Sequence, residues 1–337
     1  MDQSIGSITD GYGRSINYLR LSVTDRCNLR CFYCTFREPQ GLLRHEDILS
    51  YEELLHLMDI ARSLGVGKVR LTGGEPFLRQ DFLWFLEQAL HSFPELSIRV
   101  TSNGTLLQGK VERLAGMGLQ HLNISLDTLQ REKFARITGR DYLPSVREAL
   151  EQCLEHGLRV KLNVVAIRGI NDDELPAFLE LAQERPIDVR FIEFMPIGDE
   201  SSWERGSAWP ASEILAEARQ HVELEPVAAR RKDSGPARMY SLKNGAGRIG
   251  VISPLSDHFC GQCNRFRITS EGRLRTCLFS DREYRLRPIL RSARLGPEQV
   301  LKVMRLAGRK KPLGYTLLHT QASSCSVCLK SMSSIGG

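Results

Sequence analysis

From residue 16 to residue 194 the chain takes turns six times between strand character and helix character. Residues 16–23 are rich in β-branched and aromatic side chains without a breaker, and 68–72, 96–101, 119–126, 158–166 and 188–194 read as strands in the same way. Between them apolar residues recur with helical period at 51–64, 82–91, 107–117, 131–137, 145–156 and 173–184, and a further helix is expected at 211–220. Ser50 and Glu53 spell a capping box ahead of the first of these helices. Such alternation implies parallel βα units. It predicts an α/β fold built on an incomplete (βα)6 TIM-type barrel, too short to close, with another part of the chain over its open side. An open doubly wound sheet would give the same alternation. Beyond residue 222 the pattern gives way to short strand-like runs and turns at 243–247 and 270–272, with one helix expected at 297–306. The expected division is therefore a barrel domain over 1–221 and a C-terminal extension over 222–337.

Nine cysteines fall in groups: Cys27, Cys31 and Cys34; Cys260, Cys263 and Cys277; Cys325 and Cys328; with Cys153 alone, expected as a small core residue. No apolar run approaches the roughly 20 residues of a membrane span, and residues 1–10 carry neither a signal-peptide nor a transit-peptide pattern. Clustered thiols without a secretory signal point to metal or redox chemistry in a reducing, cytoplasmic setting rather than to disulfides. Three thiolates on one short loop can hold three corners of a 4Fe–4S cube, which ordinarily takes four, leaving one iron open for another ligand. Zinc, or three buried thiols, would also satisfy the spacing of the first triplet. In the second, Cys-x2-Cys-x13-Cys, His258 is available as a fourth zinc ligand. Gly73-Gly74-Glu75-Pro76 follows the second predicted strand, where glycines let backbone approach a ligand. Arg265 and Arg267 alternate on one strand face and suit a polyphosphate. Residues 281–312 hold ten Lys or Arg against three acids within a chain of net charge +6. This surplus is expected as a solvated face, with nucleic acid or polyphosphate as the functional alternative.

The first triplet followed about 40 residues later by Gly73-Gly74-Glu75-Pro76 resembles the radical S-adenosylmethionine (SAM) enzymes. That resemblance implies SAM on the open iron, its amino group held by the backbone of Gly73, Gly74 and Glu75. It places Tyr33 over the adenine and Ser125 and Met195 as further SAM contacts. With the second triplet and Arg265-Phe266-Arg267, the chain from about residue 10 to 285, and again at its last residues, is similar to the GTP 3′,8-cyclase family of molybdenum-cofactor biosynthesis. The similarity implies a lyase with two 4Fe–4S clusters and SAM as cofactors. It would convert GTP to 3′,8-cyclo-7,8-dihydroguanosine 5′-triphosphate through a radical at the ribose 3′ carbon that attacks carbon 8 of guanine. Arg20, Arg70, Thr101, Lys161, Arg265, Phe266 and Arg267 then fall on GTP contacts. Arg20, Arg265, Arg267 and a terminal Gly336-Gly337 tail would act in catalysis. An electron donor, hand-over of product to cyclic pyranopterin monophosphate synthase, and monomer or homodimer are implied, with no membrane or nucleic-acid partner. The chain departs from the family at Cys325-x2-Cys328 and at Lys330-Ser331-Met332, where Arg-Pro-Met is usual. A radical SAM peptide-modifying maturase shares the first triplet but usually carries more C-terminal cysteines. A zinc-dependent nucleic-acid binder would leave the Gly-Gly-Glu-Pro turn unused.

Overall fold

The computed structural model describes residues 6–34, 41–197, 205–228, 235–320, 328 and 332–335. Strands β1 (Tyr18–Ser22), β2 (Lys68–Thr72), β3 (Ser97–Ser102), β4 (His121–Ser125), β5 (Arg159–Ala166) and β6 (Asp188–Glu193) pair in sequential order, every neighbour parallel. Sequential order separates the two architectures that the alternation allowed. A doubly wound sheet reverses direction at a switch point, whereas one-way right-handed crossovers lay all the helices on one face and leave the other concave. The result is an arc of barrel that does not close.

The helices form where the apolar periodicity puts them. α1 (Tyr51–Ser63) opens with the expected capping box: Ser50 Oγ accepts from the Glu53 amide at 3.2 Å, and the Glu53 carboxylate accepts from the Ser50 amide at 2.7 Å. α2 (Phe82–Ser92), α3 (Val111–Gly116), α4 (Arg131–Thr138), α5 (Leu143–Glu155), α6 (Leu175–Glu184) and α7 (Ala211–His221) follow. α3 is shorter than the sequence suggests, because residues 104–110 are spent on turns around Gly104 and Gly109, both with positive φ. Cys153 is fully buried on α5, as expected of a core thiol.

The extension does more than cover the opening: it widens the sheet at both edges. β7 (Leu224–Pro226), β8 (Arg238–Leu242) and β9 (Arg248–Ile252) join beside β6. β10 (Arg265–Ile268), β11 (Arg273–Arg275) and β12 (Glu283–Arg285) join beside β1. Both junctions, β6–β9 and β1–β10, are parallel, giving twelve strands in all. α8 (Arg287–Leu290) and α9 (Pro297–Arg309) follow, then α10 (Gly314–Thr320) and α11 (Met332–Ile335). Most of the basic stretch at 281–312 is a solvated face, as expected, with eight of its ten Lys and Arg exposed, while a few of its residues make specific contacts. Arg291 binds Glu53 and the carbonyls of Glu46 and Ile48, Arg287 pairs with Asp47, and Lys311 is 2% exposed.

Candidate active site

Burial alternates along β3 and β5 and over most of β6, and on every strand successive side chains face opposite sides, one toward the helices and the next toward the concave side. In a closed barrel those inward positions fill one another in layers. Here they line a cavity of about 1060 Å³. Register brings Arg267, Arg20, Arg70 and Arg99 side by side across β10, β1, β2 and β3. A second row runs through Thr101, Asn123, Lys161, Asp188 and Arg248 on β3, β4, β5, β6 and β9. Arg70 and Lys161 stand within their strands and line the cavity.

Among the described residues, eleven Lys and Arg line the cavity against four carboxylates. Like charges set opposite one another in a sheet are destabilising, so this surface is built for a polyanion. Burial, with Arg70 and Arg265 nearby, brings Arg20 down to about 10, and burial with Arg20 and Arg265 nearby holds Arg267 well below its usual value. Burial brings Arg190 down to about 10, and its Nε has no hydrogen-bond partner among the described residues. Burial likewise lowers Lys161 to about 8, although its Nζ lies 3.2 Å from Asp188. Tyr18 accepts from Arg70 Nε at 2.5 Å. Burial would raise this phenol, but Arg70, Arg20 and Arg265 outweigh it and bring it down to about 7. Tyr18, Arg99 and Arg190 were not among the sequence candidates. Their i, i+2 spacing from Arg20, Thr101 and Asp188 was the signal that could have found them.

At one end of the cavity lie Cys27, Cys31 and Cys34. Burial raises the Cys27 thiol and holds Cys31 well above its ordinary value. Thiolates there need a metal to compensate them, and soft sulfur donors fit an iron–sulfur cluster. Gly73 and Gly74 line the same end, but their lack of side chains serves the cysteine loop. A Cβ on Gly73 would stand 2.4 Å from the Thr24 carbonyl oxygen, and one on Gly74 would stand 2.2 Å from that of Arg26. The Gly74 and Glu75 amides donate to these same two carbonyls at 2.8 Å each, and the Glu75 and Pro76 carbonyls accept from the Leu78 and Arg79 amides at 3.1 Å each. The Glu75 side chain is fully buried outside the cavity lining, accepting from the amides of Phe77 and Asn103 and from Ser102 Oγ. Burial pushes its acid up to about 7 despite those bonds. Asn103 passes the contact on, its Nδ2 reaching Asn28 Oδ1 at 2.9 Å and Cys27 Sγ at 3.7 Å. The Tyr33 hydroxyl donates to Asp127, whose other oxygen accepts from the Val165 amide. Ser125 and Met195 complete this wall.

Cys260, Cys263 and Cys277 line the opposite part of the same cavity. Burial would raise Cys263, but Arg265 and Lys311 bring it down to about 6. No group of three His, Cys, Asp or Glu among the described residues is placed to hold a single ion. Three soft sulfur donors facing one cavity are the kind of donor set that an iron–sulfur cluster takes. Arg265 and Arg267 face the cavity, and Phe266, between them, points the other way and is fully buried in the core. Its side chain cannot touch a ligand in the cavity, because neighbours on a strand face opposite sides. Gly336, Gly337 and Cys325 lie outside the described residues. Just before the two glycines, the Met332 amide donates to the Cys34 carbonyl at 3.2 Å and Ile335 is fully buried. Cys328 is buried away from the cavity, 3.1 Å from a guanidinium nitrogen of Arg275.

Residues 21–182 match the Radical SAM superfamily and residues 187–317 match Molybdenum Cofactor Synthesis C. The chain is 45% identical to the GTP 3′,8-cyclase of Syntrophomonas wolfei subsp. wolfei, covering 90% of this chain and 93% of that one. It is 41% identical to the GTP 3′,8-cyclase of Alkaliphilus oremlandii, covering 97% and 99%. Among solved structures, Streptococcus suis SuiB bound to S-adenosylmethionine superposes with a TM-score of 0.63 at 15% identity, over 91% of this chain and 69% of that one. At that identity the likeness concerns the fold alone.

Proposed function

The chain belongs to the GTP 3′,8-cyclase family of radical SAM enzymes, a cyclase of molybdenum-cofactor biosynthesis, and we propose that the two halves of its cavity divide that task. Residues 1–221 would hold the first 4Fe–4S cluster and SAM and bring Arg20, Arg70, Thr101 and Lys161 to GTP, and residues 222–337 would supply the second cluster with Arg265 and Arg267 beside it. The observation that carries this reading is the row Arg267, Arg20, Arg70 and Arg99 lying in one cavity with both cysteine triplets.

When bound, the first cluster and SAM would supply the radical chemistry by which the ribose 3′ carbon of GTP loses a hydrogen and joins carbon 8 of guanine. The chain's own residues position the partners. Cys27, Cys31 and Cys34 would hold one cluster, and the backbone of the turn at Gly73, Gly74 and Glu75 would hold the SAM amine. Tyr33, fixed through Asp127, covers the adenine, and Ser125 and Met195 close the SAM side. Cys260, Cys263 and Cys277 hold the second cluster beside the guanine. Arg20, Arg70, Arg265 and Arg267 share the triphosphate through charge-assisted bonds, with Thr101 and Lys161 on the ribose side and Phe266 contributing backbone only. The arginines thereby keep the reacting carbons in contact, where small misplacements already cost about 100-fold in ordinary enzymes. Product with its triphosphate intact suits hand-over to cyclic pyranopterin monophosphate synthase. The enzyme works in the reducing cytoplasm with a one-electron donor, alone or as a homodimer.

Anaerobic reconstitution tests the reading. About eight irons per chain and a cyclised GTP product are expected; about four irons with stoichiometric zinc would overturn it. Deleting Gly336 and Gly337 should abolish cyclisation while SAM cleavage continues.

A further inference from the structure

The second cysteine triplet is assembled from two separate pieces of chain, and no stretch of regular backbone pairing joins them at the sulfurs. Cys260 and Cys263 precede β10, while Cys277 follows β11. The β10–β11 ladder pairs Arg267 with Arg275 and Ile268 with Leu274, so it ends before either cysteine piece is reached. Past that end the carbonyls of Arg265 and Thr276 both accept from the Lys311 ammonium, the first at 2.9 Å. Lys311 is 2% exposed. A buried ammonium is costly without partners, and the two carbonyls it bonds belong one to each of the cysteine-bearing pieces.

Two further details place the same segment at the third cysteine. Arg14, itself locked to Asp10, donates to the Cys260 carbonyl at 2.6 Å and to the carbonyls of Lys311 and Pro312 at 3.2 and 3.1 Å. Three residues on, Gly314 has its back to the sulfurs. A Cβ there would stand 2.8 Å from Cys277 Sγ and 3.5 Å from Cys260 Sγ.

We propose that residues 311–314 are the bracket of the second cluster: Lys311 ties its two cysteine-bearing pieces together from inside, and Gly314 keeps its sulfurs clear. This rests on reading the second triplet as an iron–sulfur site. Lys311 and Gly314 are positioning residues, acting on the substrate only through the cluster.

The test uses the anaerobically reconstituted full chain in four forms: wild type, Lys311→Met, Gly314→Ala, and a reference with Cys260, Cys263 and Cys277 all changed to Ala. Wild type should hold about eight irons and the reference about four. Both single variants should fall to about the reference value. They should also lack the paramagnetic-resonance component whose shape changes when GTP is added to reduced wild type. Deoxyadenosine release from SAM without GTP should stay within about twofold of wild type, and circular dichroism should be unchanged. Gly314→Ala removes no hydrogen bond, so it decides the matter if Lys311→Met fails to fold. A folded single variant with eight irons and the GTP-responsive component intact overturns the bracket while leaving the second cluster standing. A wild type that stops at four irons overturns both.

Discussion

Tyr18, which accepts from Arg70 beside the arginine row, is a side chain that can cancel charge on demand. Its phenol comes down to about 7, so it is neutral below that pH and anionic above it. An anion beside Arg20 and Arg70 competes with phosphate for the same guanidiniums. GTP affinity should therefore weaken as pH rises through about 7, and again as Lys161 loses its proton near 8. Tyr18→Phe should remove the first of these steps and keep the second. A KM for GTP measured from pH 6 to 8.5 checks this, and a wild-type profile flat across 7 would show that the phenol keeps its proton. Arg267→Ala should cost roughly 2–5 kcal/mol of binding, because a buried charge-assisted contact is lost. Steady-state turnover of GTP would then fall at least tenfold, and unchanged turnover would remove Arg267 from the site.

The turn after β2 and the first cysteine loop are one element in mechanical terms. Gly74→Ala would drive a methyl group into the Arg26 carbonyl, 2.2 Å away, and overpacking of this kind costs about 1–3 kcal/mol. The loop would give way before the strand does, because β2 is clamped between β1 and β3. The expected outcome is a folded protein that keeps the second cluster's iron, loses the first, and no longer cleaves SAM; iron analysis with a deoxyadenosine assay checks it. At this scale much could be read beforehand. Helical period and the Ser50–Glu53 pair locate α1, and β-branched runs locate β1 to β6. The purpose of the two glycines could not be read, since their neighbours are the carbonyls of Thr24 and Arg26, about 50 residues earlier in the chain. Phe266 was misplaced as a contact for a simpler reason: a motif names three consecutive residues, and a strand turns only two of them the same way.

For the whole molecule, the six-unit alternation foretold the barrel but not its width. β9 and β10 carry no mark in sequence that says they run parallel to β6 and β1, because parallel partners are chosen by what lies between them and not by their own residues. A chain ending at His221 would leave both outer edges of the six-strand arc bare, and would strip Phe266, Ile268 and Leu274 from the core. Exposed hydrophobic edges template aggregation, so the truncated chain should partition into the insoluble fraction on expression. A soluble monomer with a cooperative melt would show that the barrel stands alone.

The parallel contact between β1 and β10 also sets a clock. Tyr18 meets Arg265, 247 residues later in synthesis. At ribosomal rates that interval lasts on the order of ten to fifty seconds. Through all of it the nascent chain displays an unfinished sheet next to three reduced cysteines. Iron delivered early meets a loop whose roof has not been made, and iron delivered late must enter a chamber already walled on both sides. The order of maturation is thus a property of the strand map, fixed before any delivery factor arrives.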